Sequence, residues 1–80
     1  MKTREEISRW CTQVIATTFE MPLAEVYSDA EFQSFGFDST ALVGFAAELE
    51  AWLGQELDPS VLFNYPTVDR LADHVAELAS

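Results

Sequence analysis

Gly36, Phe37, Asp38 and Ser39 combine a flexible bend, a carboxylate and a hydroxyl directly before an apolar stretch with helical spacing. A helix N-terminus carries about half a positive charge and free amide groups, so a phosphate attached to Ser39 would be stabilised there. The segment therefore suits a modification site. The simpler interpretation is that Asp38 caps the helix and Ser39 is an ordinary first-turn residue. A hydrolase serine is not favoured, because the sequence lacks Gly-x-Ser-x-Gly and a convincing histidine and acid.

The other reactive side chains have ordinary structural interpretations. His74 is expected to be a surface histidine, since there is no second histidine and neither Asp69 nor Asp73 completes a metal-binding set. Cys11 lies on an apolar stripe without a neighbouring cation that would lower its pKa, which favours a small core residue. The acids around Gly36 do not have the spacing of a calcium loop. The sequence therefore predicts no metal site.

A first amphipathic helix is predicted from residue 3 to residue 19. Thr3 and Glu6 have the spacing of a capping box, in which each side chain satisfies an amide of the first turn. Apolar residues then recur at helical intervals, at Ile7, Trp10, Cys11, Val14, Ile15 and Phe19. Residues 21–37 keep no steady period, which indicates a long loop pinned to the core by its aromatic side chains.

The second helix is the best defined. Asp38 occupies the N-cap position, Ser39 follows as the first helical residue, and Gly54 stands where a helix commonly ends in the left-handed conformation. Its inward stripe consists of Leu42, Phe45, Ala46, Leu49 and Leu53. Trp52 lies off this stripe and is expected to be partly exposed.

Two shorter segments complete the chain. Asp58 is a residue type common at a helix N-cap, and Pro59 is common at the first helical position. Together they predict a short helical turn, which ends before Pro66. Thr67 is predicted to cap a final helix with inward Val68, Leu71, Ala72, Val75, Leu78 and Ala79. The sequence thus predicts an all-α fold, a small four-helix bundle with three main helices and one short helix, in a single domain spanning residues 1–80.

Composition limits the function. The 80 residues include 14 acids and 4 bases, a formal net charge of -10, and no base lies between Cys11 and Asp69. Nucleic acid and membrane surfaces are excluded as default partners. A protein that binds the acidic surface of this chain should be basic. A chain this short forms one core and no deep active site. One cysteine and a polar N-terminus indicate a cytoplasmic protein, and a monomer is expected.

Three segments, in order and at matching spacing, resemble the acyl carrier proteins that serve polyketide and fatty acid synthases. Residues 35–39 (Phe-Gly-Phe-Asp-Ser) are similar to the family signature of an apolar residue, Gly, an apolar residue, Asp and the modified Ser. Residues 49–54 resemble the end of the family's second helix, and residues 62–72 its third helix and the start of its fourth. The polyketide type is favoured, because peptide-synthetase carriers more often have Gly-Gly before the serine dipeptide.

The resemblance implies a carrier that catalyses nothing itself. Ser39 would be esterified by 4′-phosphopantetheine, transferred from coenzyme A by a magnesium-dependent phosphopantetheinyl transferase. The terminal thiol would then hold the growing acyl or polyketide chain as a thioester, and Asp38 would cap the helix and help to present Ser39.

The resemblance also implies where partners bind. Ketosynthase, acyltransferase and tailoring enzymes with basic docking patches would contact the second helix and the loop before it. The expected exposed strip consists of Asp38, Thr40, Val43, Ala47, Glu48 and Glu50.

Two residues depart from the family pattern. Thr40 replaces a large aliphatic residue, and Gly44 stands where fatty acid carriers often have an acid. Both argue against recognition by fatty acid enzymes, and Gly44 would permit close approach of a neighbouring helix or a bound chain. The alternative function is an unmodified acidic helical module that docks a basic partner, with Ser39 merely structural.

Overall fold

The structure, a computed structural model, describes residues 2–79, with side chains through Leu78. It contains four α-helices: α1 (Arg4–Thr18), α2 (Ser39–Leu53), α3 (Val61–Asn64) and α4 (Val68–Ala79). The long connection between α1 and α2 includes two short 3₁₀ turns, Leu23–Glu25 and Phe32–Phe35. Over the described residues there is no strand, only an isolated bridge between Glu31 and Thr67. The predicted all-α bundle of three main helices and one short helix is confirmed.

The start of α1 is capped as predicted. The Thr3 hydroxyl accepts a hydrogen bond from the Glu6 amide, and the Glu6 carboxylate accepts one from the Thr3 amide, both at 3.2 Å. The bond from the Thr3 amide lowers the pKa of the Glu6 carboxyl. The helix ends at Thr18, one residue before the predicted end, and Phe19 is its C-cap. Glu20 then turns the chain with a left-handed φ of 51°.

The helix α4 packs against α1 and is fixed at its own start. The Thr67 hydroxyl accepts from the Arg70 amide at 3.1 Å, which confirms the predicted cap. Asp69 accepts from the Arg4 guanidinium at 3.3 Å and from the Ser28 hydroxyl at 3.2 Å, so it joins α1, α4 and the long connection. Arg4 also pairs with Asp73. Exposed ion pairs of this kind contribute little stability, so their main effect is on alignment.

The start of α3 differs from the sequence prediction. The helix begins at Val61 with Ser60 as its N-cap, two residues later than the predicted first position at Pro59. The Asp58 carboxylate accepts from the Ser60 amide at 2.8 Å and from the Ser60 hydroxyl at 2.6 Å. These bonds lower the pKa of the Asp58 carboxyl. Asp58 therefore stabilises the turn before the helix and does not cap the helix itself, because its side chain reaches only two residues ahead.

The core confirms the predicted inward faces of the helices with one exception. Leu78 was predicted to face inward but is 46% exposed, because it lies beyond Val75, the last buried residue of the described part of α4. The side chain of Ala79 lies outside the described residues. Leu49 of α2 is completely buried together with Ile7 and Ile15 of α1 and Leu71 of α4. No helix within residues 2–79 is long and apolar enough to span a bilayer.

Replacing Leu49 by alanine is expected to lower the free energy of unfolding by about 2 to 5 kcal/mol, because it removes buried methyl groups and leaves a cavity. That is a large part of the stability of so small a domain. Urea unfolding followed by circular dichroism measures the loss. The control is Val43→Ala on the same helix, where the side chain is 47% exposed and the change should stay within about 0.5 kcal/mol. Equal losses in the two variants would contradict the assigned faces of α2.

Candidate functional site

Ser39 is the first residue of α2, and its side chain is exposed. Asp38 is the N-cap in an extended conformation, and its carboxylate accepts from the Ala41 amide at 2.7 Å. The Asp38 carbonyl accepts from the Leu42 amide, the first backbone bond of the helix. The predicted capping role of Asp38 is confirmed. The amides of Ser39 and Thr40 precede this bond and have no carbonyl of the helix to pair with.

The bend before Asp38 depends on a glycine. Gly36 has a φ of +113° at the end of the second 3₁₀ turn, a conformation that residues with a side chain rarely adopt. A Cβ atom at this position would lie 3.2 Å from Cε1 of Phe19. Gly36 therefore provides both the turn and the space for the Phe19 ring. The contact with Phe19 joins residues far apart in the chain, so the sequence offered no signal for it.

The residue between the glycine and the cap is an anchor. Phe37 is buried. The centre of its ring lies 4.9 Å from the ring centre of Phe19, 5.4 Å from that of Phe45 and 5.9 Å from that of Phe32. Aromatic pairs at such distances contribute beyond the area they bury. Because Phe37 is fixed in the core, the next two residues emerge at the surface, and Ser39 stands at the end of a rigid helix.

The geometry fits a phosphodiester at Ser39. The hydroxyl is accessible, and the unpaired amides at the start of α2, with the helix dipole, stabilise negative charge. Ser39 would hold the group covalently, and the amides of Ser39 and Thr40 are the donors available to the phosphate. The Asp38 carboxylate faces the Ala41 amide, so part of its charge is already compensated.

The expected strip on α2 is present with one correction. Asp38, Thr40, Val43, Ala47 and Glu48 are exposed as expected. The sequence pattern places Glu50 there too, but Glu50 is only half exposed, and its carboxylate accepts from the Leu57 amide at 2.7 Å. The bond satisfies a backbone group in the connection to α3, so Glu50 has a structural task that its position on the helix did not reveal.

Other reactive residues are accounted for by packing. Cys11 is completely buried, and burial raises the pKa of its thiol to about 12, as expected for a core cysteine. His74 is half exposed and stacks on Tyr65 with ring centres 3.9 Å apart. Within residues 2–79 no cluster of His, Cys, Asp and Glu could hold a metal ion.

Comparison with known proteins agrees with this geometry. Residues 9–75 match the family described as phosphopantetheine attachment site. The chain belongs to this family of carrier proteins. It is a non-catalytic carrier with covalently attached 4′-phosphopantetheine.

Curated relatives include both large synthases and a small carrier. The chain is 32% identical over 74 residues to the polyketide synthase PksR of Bacillus subtilis, covering 92% of this chain and 3% of that protein. It is 28% identical over 74 residues to the acyl carrier protein TtuC of Teredinibacter turnerae, covering 92% of this chain and 85% of that one. A phenolphthiocerol/phthiocerol polyketide synthase of Mycobacterium tuberculosis is 32% identical over 76 residues, covering 95% of this chain and 4% of the synthase. The chain thus spans only a small part of the synthases it matches.

Solved structures show the same fold. A free-standing peptidyl carrier protein of Acinetobacter baumannii superposes with a TM-score of 0.89 at 25% identity and covers all of both chains. Asl1650, an acyl carrier protein of Anabaena with a variant phosphopantetheinylation-site sequence, gives a TM-score of 0.87 at 32% identity, covering 98% of this chain and 89% of that one. The bundle is therefore the carrier-protein fold.

Two glycines of the chain should respond oppositely to alanine. Gly36→Ala is expected to lower the free energy of unfolding by about 1 to 3 kcal/mol, because of its positive φ and the Phe19 contact. Gly44→Ala, in the interior of α2, should raise it by about 0.5 to 1 kcal/mol, because the added Cβ would meet no atom within 4 Å apart from the neighbouring backbone of its own helix. Urea unfolding of both variants tests this, and a shift in the same direction would be inconsistent with the described bend.

Proposed function

We propose that Ser39 is the residue that carries 4′-phosphopantetheine and that the protein holds acyl intermediates of polyketide assembly. The observation that carries the proposal is the exposed hydroxyl at the first position of α2, held there by the buried Phe37 and the Asp38 cap. The thiol of the bound group supplies a site at which an acyl chain is held as a thioester. The protein's own task is to present that site on a rigid helix.

Attachment needs a hydroxyl that a transferase can reach. The Ser39 oxygen would form a phosphodiester bond with the phosphorus next to the pantetheine of coenzyme A, the pyrophosphate bond would break, and adenosine 3′,5′-bisphosphate would leave with the electron pair. The serine proton passes to a base of the transferase. In this proposal that transferase is a separate enzyme, and the carrier supplies only the serine hydroxyl.

The polyketide assignment is supported by the synthases among the relatives. Ketosynthase, acyltransferase and tailoring enzymes are the proposed partners. The charge of the chain supports basic docking patches on them, because no lysine or arginine lies between residues 11 and 69. Cytoplasmic location and a monomeric state stay predictions from composition.

Incubation with coenzyme A and a broad-specificity phosphopantetheinyl transferase should add the mass of one phosphopantetheine group, measured on the intact protein. Ser39→Ala should gain nothing. Thr40→Ala, which removes the neighbouring hydroxyl of the same helix turn, should keep the gain. An unmodified wild-type protein, or a gain that survives Ser39→Ala, would instead favour the unmodified acidic docking module.

Charge reversal at Glu48 should slow the modification of this protein by the phosphopantetheinyl transferase. Glu48 is exposed on α2 and its replacement leaves the Glu50–Leu57 bond intact, so Glu48→Lys perturbs the surface charge without breaking a described contact. The kcat/KM of the transferase should fall by about tenfold at low ionic strength, and less in high salt. The control is Glu5→Lys in the first turn of α1, which makes the same charge change outside α2. Equal effects of both variants would show that only net charge matters.

A further inference from the structure

The end of α1 forms a capping motif whose backbone hydrogen bonds are complete. The Glu20 amide donates to the Thr17 carbonyl at 3.4 Å, and the Met21 amide donates to the Ala16 carbonyl at 3.0 Å. These are the two bonds of the Schellman motif, in which the residue after the C-cap takes the left-handed conformation. Phe19 is the C-cap, so Glu20 is that left-handed residue, with a φ of 51°.

Glu20 is an unusual residue for this position. The residues after it are the types that the motif favours, since Met21 packs against the core and Pro22 cannot continue the helix. At the left-handed position itself glycine is strongly preferred, because a Cβ atom there crowds the backbone. Within residues 2–79, Glu20 is the single residue other than glycine with a positive φ. Its backbone is therefore strained.

The charge of Glu20 is also unfavourable for the fold. The C-terminal end of a helix carries about half a negative charge, which repels a carboxylate, and the last turn of α1 has no basic residue. Asp38 and Glu50 accept hydrogen bonds from backbone amides, but the exposed Glu20 carboxylate has neither a hydrogen bond nor an ion pair with any residue that the structure describes. Strain that the fold does not need is typical of functional positions.

Glu20 lies at the same end of the bundle as Ser39. The ring centres of Phe19 and Phe37 are 4.9 Å apart. Glu20 follows Phe19 by one residue, Ser39 follows Phe37 by two, and both Glu20 and Ser39 are exposed. An enzyme that reaches the Ser39 hydroxyl must approach this end. Synthase enzymes meet the thiol at the far end of the arm, so the transferase is the partner that the chemistry brings closest to Glu20.

We propose that Glu20 is a recognition residue for the phosphopantetheinyl transferase, and that its carboxylate pairs with a lysine or arginine of the transferase when that enzyme binds at Ser39. This rests on the proposed attachment at Ser39. Glu20 belongs to the end of α1 and not to α2, so it gives the enzyme a contact on a second element. Two contacts on different elements fix the orientation of the hydroxyl better than one.

The test measures the kcat/KM of the transferase, with modification counted by intact mass, and the melting temperature by circular dichroism. Glu20→Gly relieves the strain and should raise the melting temperature by about 4 to 8 °C. It should nevertheless lower kcat/KM by about threefold at low ionic strength, because the carboxylate is lost. A residue with a merely structural role would not combine higher stability with slower modification.

Two further variants separate the charge from the backbone. Glu20→Gln keeps the strain and removes the charge, so kcat/KM should fall by about threefold while the melting temperature changes little. Glu20→Asp keeps a carboxylate in a residue that tolerates the left-handed region and should retain about half or more of the kcat/KM of the wild type. The differences should shrink in high salt.

The matched control is Glu5→Gln. It makes the same charge change at the other end of α1, about 20 Å of helical rise from Glu20, and should leave kcat/KM unchanged. Wild-type kinetics in Glu20→Gln, or an equal fall in Glu5→Gln, would overturn this inference and leave the attachment at Ser39 standing. A wild-type protein that gains no phosphopantetheine would overturn both.

Discussion

The structure depends on the packing of one ring, that of Phe37, against Phe19, Phe32 and Phe45. Phe37 stands between a glycine bend and an exposed helix cap, so the same contact closes the core and fixes the direction in which α2 leaves the loop. Burying an aromatic side chain stabilises a domain of this size substantially. Ser39, the proposed attachment residue, is therefore positioned by the core and needs no contacts of its own.

In this arrangement the fold is stabilised by its core and helix caps and not by its surface charges. The chain carries a net charge of -10, so its 4 bases cannot neutralise most of its 14 acids, and one base, Arg4, already pairs with both Asp69 and Asp73. Self-repulsion must therefore be offset by apolar burial and by the helix caps. The acids remain available on the surface, where they would steer the proposed basic partners over distances comparable to the Debye length. A carrier that visits several enzymes benefits from attraction that is weak, long-ranged and independent of detailed fit.

Most features that depend on neighbouring residues could be predicted from the sequence, with the role of Asp58 before α3 as an exception, whereas features that depend on distant residues could not. The caps at Thr3, Asp38 and Thr67 use amides within three residues, so residue type and spacing were sufficient. The Gly36–Phe19 contact and the Glu50–Leu57 bond join segments whose relative placement only the fold determines. For Glu50 the helical pattern gave the wrong expectation. The pattern placed this residue on the exposed strip, but its carboxylate accepts a hydrogen bond from the Leu57 amide in the connection to α3.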